Sequence, residues 1–302
     1  MKRKRMRQLL ERCRIMSGQG FRLKDHDPDD VAEGLVDRRD SQALLAEGVA
    51  RLSALQELLY PHGRWALLCI FQAMDAAGKD GTIKHVMSGV NPQGVQVTSF
   101  KQPGPEELAH DFLWRISRRL PERGTIGIFN RSHYEEVLVV RLHDEVLAAE
   151  RLPAGLDGKH IWDQRLEDIA GFERYLARQG TVVLKFFLNI SFEEQKRRFF
   201  ERLEDPNKNW KFSASDIAER AYWNAYMDAY EAAITATAAP HAPWFVVPAN
   251  NKWFTRLVVV GAMIEALEAL DLKPREMQAP DRIRLAEARR RLTEEDPNTI
   301  PR

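Results

Sequence analysis

Cysteine is scarce in this chain: Cys13 and Cys69 are the only two among 302 residues. Two cannot make a disulfide framework, and Cys69 falls within a strand-like apolar run, so both are expected as reduced thiols of a cytoplasmic protein. Long hydrophobic runs are missing too. No stretch approaches the ~18 apolar residues of a membrane span, and no membrane partner is expected. The basic opening "MKRKRMRQLLERCRIM" leads into neither an apolar core nor a small-residue cleavage site, and it reads as a frayed, solvated arm. Charge of one sign is absent: 45 Lys and Arg against 44 Asp and Glu leave a net +1. That balance argues against nucleic acid as a partner, so any anion site has to be local.

What the chain does have is apolar content, 44% against 29% charged, enough for one large domain. A charged arm is expected over 1–38, the main domain over 39–272 and a polar tail over 273–302. Leu44, Leu45, Val49, Leu52, Leu55 and Leu58 follow a helical period from about Ser41 to Tyr60, stopped by Pro61 and Gly63. Short apolar runs then alternate with helix-length segments. The runs are "WALLCIF", "VQVTSF", "TIGIFN", "TVVLKFFLNI" and "WFVVPA". The segments between them predict helices over about Gly81–Gly89, Glu106–Leu120, Ile161–Arg178, Phe192–Leu203, Ser213–Thr237 and Lys252–Leu270. This is the signature of an α/β protein with a five-stranded parallel sheet flanked by helices.

The stretch "FQAMDAAGKDGTIKHV" (71–86) follows directly on the apolar run "RWALLCI". A strand, a turn of Ala76, Ala77 and Gly78, and then a helix leave the first helical N–H groups without partners. The positive end of the helix dipole lies at the same place, which makes an anion site. Small residues let the backbone wrap a phosphate. Lys79 supplies a point charge for a phosphoryl group in transfer, and Asp80, Gly81 and Thr82 complete the first turn. The stretch departs from G-x-x-x-x-G-K-[ST] twice: Ala73 replaces the first glycine, and Asp80 replaces the hydroxyl residue. Asp75 is a further signal, because a carboxylate inside such a loop repels phosphate unless a cation stands between them. A strand-end Asp satisfied by the next turn is the plain alternative.

The segment "MDAAGKDGTIKHVMSGVNPQGVQVTSFKQP" is followed in order by "HDFLWR", "GIFNRSHYEEVLVVR", "KFFLNIS" and "EDPNKNWKFS". This set closely resembles the polyphosphate kinase 2 family, from about Arg64 to Leu270. The resemblance implies a P-loop kinase-like fold with a helical lid at about 192–222. It also implies transfer of phosphoryl groups from inorganic polyphosphate to nucleoside diphosphates, extending to monophosphates. Magnesium is the implied cofactor, with manganese as an alternative, and a homodimer or homotetramer the implied assembly. An ATP-dependent nucleoside or nucleotide kinase of the same fold is the alternative reading.

In "TIGIFNRSHYEEV" a strand ends in polar residues beside the phosphate loop, where an acid usually helps to hold the metal. The family commonly has Asp-Arg-Ser here, whereas this chain has Asn130-Arg131-Ser132. Asn130 brings no charge, and Glu135 is close enough in sequence to replace it. The expected metal set is therefore Asp75, Asn130 and Glu135. Within the family this combination resembles the subgroup that also accepts monophosphates. Arg131 is expected to grip a phosphate and, with Lys79 and Asp75, to form the catalytic set. His133 and Tyr134 receive no catalytic role. In "EEQKRRFFERLEDPNKNWKF" Arg198 and Arg202 stand at i and i+4 on one helical face, with Lys208 and Lys211 following on a polar hairpin. These four are expected to line a polyphosphate groove and close over the transferring group. Lys101, Arg115, Arg118 and Arg119 either extend that groove or lie on the surface.

Overall fold

Six strands pair into one sheet, in the spatial order β1-β6-β5-β2-β4-β3, in the computed structural model of the chain. They are β1 (Arg14–Ile15), β2 (Ala66–Gln72), β3 (Val95–Ser99), β4 (Ile126–Asn130), β5 (Thr181–Asn189) and β6 (Trp244–Pro248). Residues 3–158, 160–207, 209, 213–273 and 279–294 are described. The five parallel strands are the five apolar runs of the sequence. β1 is the addition to the expected count, a two-residue edge strand antiparallel to β6. It comes from the segment expected as a frayed arm, and burial is the reason that expectation fails. The helix α1 (Arg3–Cys13) buries Leu9, Leu10 and Cys13, each at most 2% exposed. Arginines of α1 and β1 pair with acids elsewhere, Arg12 with Asp30 and Arg7 and Arg14 with Glu265, so the basic run is a seam rather than a solvated tail.

The remaining helices follow the sequence periods closely. Ser41–His62 forms α2, ended by Gly63 at φ 59°. Lys79–Val86 forms α3. Where one helix was expected over Glu106–Leu120 there are two short ones, α4 (Pro105–Leu108) and α5 (Trp114–Ser117). Between them the Asp111 carboxylate accepts the N–H of Leu113 at 2.9 Å, a local bond that competes with helix continuation. Next come α6 (Glu135–Leu138), α7 (Asp144–Ala149) and α8 (Ile161–Arg178). Ser191 caps α9 (Phe192–Glu204) by accepting the N–H of Glu194. The expected helix over Ser213–Thr237 is broken by a 3₁₀ turn at Arg220–Tyr222 into α10 (Ala214–Glu219) and α11 (Trp223–Thr237). Lys252–Glu268 forms α12. Residues 1–272 make one unit and 273–302 a second. The second contains α13 (Ala279–Glu294), which carries the i,i+4 pairs Glu287–Arg291 and Arg290–Glu294. No helix among the described residues is long and apolar enough to cross a membrane.

Both faces of the sheet are covered, which is why β2 is buried at all seven positions and reads as an unbroken apolar run. Phe71, Phe186 and Phe245 stack across three neighbouring strands, with ring centroids 4.9 and 5.4 Å apart. Each such ring contributes about 1.5–3 kcal/mol by burial. A buried ion pair interrupts this core: Lys185 on β5, with no exposure, donates to Glu173 of α8 at 2.5 Å. From β2 the chain goes to the edge at β3, returns to β4, then crosses to β5 and β6 on the other side. The carboxyl end of β2 is thus the topological switch point, where α/β sheets open a crevice.

Candidate active site

At that switch point β2 runs into the turn Ala73–Gly78 and then into α3. Ala76 takes the left-handed conformation at φ 62°, and Gly78 follows at φ 104°, beyond the range a side chain tolerates comfortably. The first bond of α3 is Thr82 N–H to the carbonyl of Gly78, at 2.9 Å. The amides of Lys79, Asp80 and Gly81 therefore precede the helical ladder, and the dipole adds to their pull on an anion. Lys79 bends back to donate to the Ala73 carbonyl at 2.6 Å. Burial lowers its pKa from the ordinary lysine value, and Asp75 opposes that shift by favouring the charged form.

β4 delivers the opposite wall. Its register sets Asn130 beside Phe71, and the N–H of Arg131 donates to the Phe71 carbonyl at 3.0 Å. Arg131 itself is left-handed at φ 63°. Its guanidinium lies between two carboxylates, Asp75 at 3.2 Å and Glu135 at 3.6 Å. Glu135 first, then Asp75, hold that charge more firmly than in an ordinary arginine. The amide nitrogen of Asn130 donates to Asp80 at 2.7 Å.

Two chambers open from this junction. One, about 550 Å³, is lined by the loop from Met74 to Gly81, together with Lys101, Asn130, Arg131, Arg202 and Asp216. The other, about 420 Å³, is lined by Arg115, Glu135, Glu136, His143, Tyr226 and Tyr230 among others. Asp75, Lys101 and Arg131 line both. The expected metal set is consequently divided: Asn130 faces the first chamber, Glu135 the second, and only Asp75 faces both.

The lid arginines also divide. Arg202 is 22% exposed, reaches Asp216 at 3.5 Å and faces the phosphate loop across the first chamber. Arg198 turns inward, 3% exposed, and lies against the back of the loop. Lys208 and Lys211 lie outside the described residues. Arg115 is buried, donates to the Lys101 carbonyl at 2.9 Å and covers the Phe100 ring, whereas Arg118 and Arg119 are exposed.

Several residues around the site carry no sequence signal of their role. Gln195 of α9 donates to the Asp75 carbonyl at 2.9 Å. His133 and Tyr134 are buried, and Tyr134 Oη lies 2.8 Å from both Glu173 and Thr237 while accepting from Lys185 at 3.2 Å. This network anchors Tyr134, three residues beyond Arg131. Only Lys185, a lone charge in an apolar strand run, could have announced it.

A parallel sheet whose central strand enters a phosphate loop, faced by an arginine from the neighbouring strand, defines a phosphoryl-transfer enzyme of P-loop kinase-like fold. The comparisons with known proteins narrow the class. The family model described as Polyphosphate kinase 2 (PPK2) matches residues 35–275. The chain is 52% identical over 250 residues to the ADP-polyphosphate phosphotransferase of Rhodopseudomonas palustris, covering 82% of this chain and 86% of that one. It is 44% identical over 264 residues to the AMP/ADP-polyphosphate phosphotransferase of Meiothermus ruber, covering 87% and 95%. The crystal structure of Polyphosphate Kinase 2 from Arthrobacter aurescens superposes with a TM-score of 0.81 at 43% identity, over 90% of this chain and 95% of that one. The chain belongs to the polyphosphate kinase 2 family.

Proposed function

We propose that the protein transfers the terminal phosphoryl group of inorganic polyphosphate to nucleoside di- and monophosphates, in a reversible reaction. The observation that carries this reading is the junction itself. Lys79 and the free amides of α3 stand on one side, Arg131 stands on the other, and the two chambers meet between them. Such a junction brings two phosphorylated substrates end to end. Named relatives that act on ADP and AMP support both acceptors for this chain.

Acceptor and donor need no protein nucleophile, since a phosphate oxygen is already anionic at neutral pH. That oxygen attacks the terminal phosphorus of the polymer in line. One P–O bond forms as the bridging P–O bond breaks, and the shortened polymer leaves with its electron pair. Lys79, Arg131 and Arg202 face the equatorial oxygens of the group in flight. The two flanking acids, Glu135 first and then Asp75, keep Arg131 charged against the opposing effect of burial and orient it for that task.

A divalent cation, magnesium or manganese, fits the hard carboxylate oxygens of Asp75 and Asp80 in the first chamber, with substrate phosphates supplying further ligands. When bound, it would screen phosphate charge and polarise the transferring group. Glu135 lines the second chamber and is not placed on the ion in this reading, and Asn130, which lines the first, brings no charge to it. Among the described residues no three His, Cys, Asp or Glu side chains gather into a cage of their own. A cytoplasmic setting suits the two free, buried cysteines; burial pushes Cys13 up to about 12 and Cys69 up as well.

The test supplies ADP or AMP with polyphosphate as sole donor and follows new nucleotide phosphates by chromatography. ATP from ADP, and ADP from AMP, are the expected products. Phosphorylation by ATP but not by polyphosphate would move the chain to the ATP-dependent alternative.

A further inference from the structure

Arg198 sits on the helix expected to close over substrate, yet its bonds point the other way. A guanidinium has five N–H donors. Nε donates to Glu194 at 2.7 Å. One terminal nitrogen donates to the carbonyls of Ala76 and Ala77 at 3.1 and 2.8 Å. The other donates to the carbonyls of Ala249 and Asn250 at 2.6 and 3.0 Å. All five donors are engaged and the side chain is 3% exposed, so a phosphate could bind it only by displacing one of these partners. Gln195, three residues earlier on α9, holds the preceding carbonyl, that of Asp75. Three consecutive carbonyls of the phosphate loop are thus gripped from behind by one helix.

We propose that Arg198 is the positioning residue of the phosphate loop, fixing its peptide planes, and not a ligand of polyphosphate. In a trans peptide the C=O and the following N–H point in opposite directions. Pinning the Ala77 carbonyl to the rear turns the Gly78 amide to the front, next to the amides that open α3. The same fork ties the loop to residues 249–250 at the end of β6. A planar fork can meet four carbonyls at once, which a lysine ammonium cannot. Arg220, in the 3₁₀ turn after α10, donates to the Gln195 side-chain oxygen at 2.5 Å and so carries the grip toward the far end of the lid segment. The inference rests on the phosphoryl-transfer reading but has a readout independent of it.

The experiment compares wild type with Arg198→Lys and Arg198→Met. It measures kcat, KM for polyphosphate, the dependence of kcat/KM on salt, and hydrogen–deuterium exchange of the amides of residues 75–81. A positioning role gives both variants a similar loss in kcat, about 100-fold for a displaced loop. KM and the salt slope stay at the wild-type values, and exchange quickens in the loop. A ligand role gives a Lys variant that keeps most of its kcat. It also gives a Met variant with raised KM and a salt slope shallower by ~0.7, the loss of about one phosphate contact. That pattern overturns the proposal. Should both variants fail to fold, Gln195→Leu replaces them: a fall in kcat of about 10-fold at constant KM supports the grip, and wild-type turnover refutes it. A wild-type protein that forms no nucleotide product from polyphosphate removes the functional reading alone. Unchanged loop exchange in the Arg198 variants removes the positioning role, whatever that assay gives.

Discussion

The side-chain amide of Asn130 donates to the carboxylate of Asp80 at 2.7 Å, joining the end of β4 to the first turn of α3. Asn130→Asp would exchange that bond for two carboxylates in contact, which cannot both ionise without a cation between them. In chelator the variant should lose about 1 kcal/mol, or ~2–4 °C in melting temperature for a unit of this size. Millimolar magnesium should restore it, while moving wild type less. Thermal melts with and without magnesium check this, and equal magnesium responses in the two proteins would dissociate residue 130 from the cation.

Lys79 donates to the Ala73 carbonyl at 2.6 Å and lines the first chamber. Lys79→Met removes the ammonium and keeps most of the packing of its stem. Loss of one transition-state donor of this kind typically lowers kcat by about 10²–10³-fold. Circular dichroism should be unchanged, because only one hydrogen bond within the loop is lost. Turnover within a few-fold of wild type would take Lys79 out of the reaction.

The strands around this site were legible because a sheet covered on both faces forces apolar runs, and each of the five runs became a strand. The strand, tight turn and helix over 66–86 were legible for a similar reason: small residues and a lysine after a buried apolar run mark a sharp turn into a helix. Edge strand β1 was not, since two residues, Arg14 and Ile15, carry no period. The burial of α1 was present as Met6, Leu9, Leu10 and Cys13 at helical spacing, but the seven basic residues of the first sixteen suggested solvent instead. Arg198 shows the deeper limit. An arginine that meets phosphate and one that meets backbone carbonyls have the same sequence neighbours, because the partner belongs to a loop more than 100 residues away.

Lys185 and Glu173 form an ion pair with almost no exposure, and the pair contacts Tyr134, three residues beyond Arg131. Removing one partner leaves an uncompensated buried charge, so Lys185→Met alone should cost roughly 3–5 kcal/mol. Replacing both, Lys185→Met with Glu173→Met, should recover most of that stability, since well-packed apolar groups often match a buried pair. If the pair braces the Arg131 turn, the double variant stays folded but loses kcat by about 10-fold, with little change in KM. Urea midpoints and steady-state kinetics on the same preparations separate the two effects. A stable double variant with full kcat would reduce the network to packing.

Glu136 lies next to Glu135 on α6 and is 4% exposed, with Arg165 reaching both it and Glu150. Burial, and then the neighbouring Glu150 charge, raise its pKa from 4.5 to about 7 against the pull of Arg165 and Arg115. Between these two values the folded protein keeps a proton that the unfolded chain has released. Its contribution to stability is therefore fully present below about 4.5, falls as pH rises, and levels off above about 7. A shift of this size corresponds to about 3 kcal/mol. Glu136→Gln carries no titrating group and should flatten the profile over that window, leaving the variant relatively more stable near neutral pH. Urea midpoints from pH 4.5 to 8 for both proteins measure the difference, and parallel profiles would mean that Glu136 does not bind the proton.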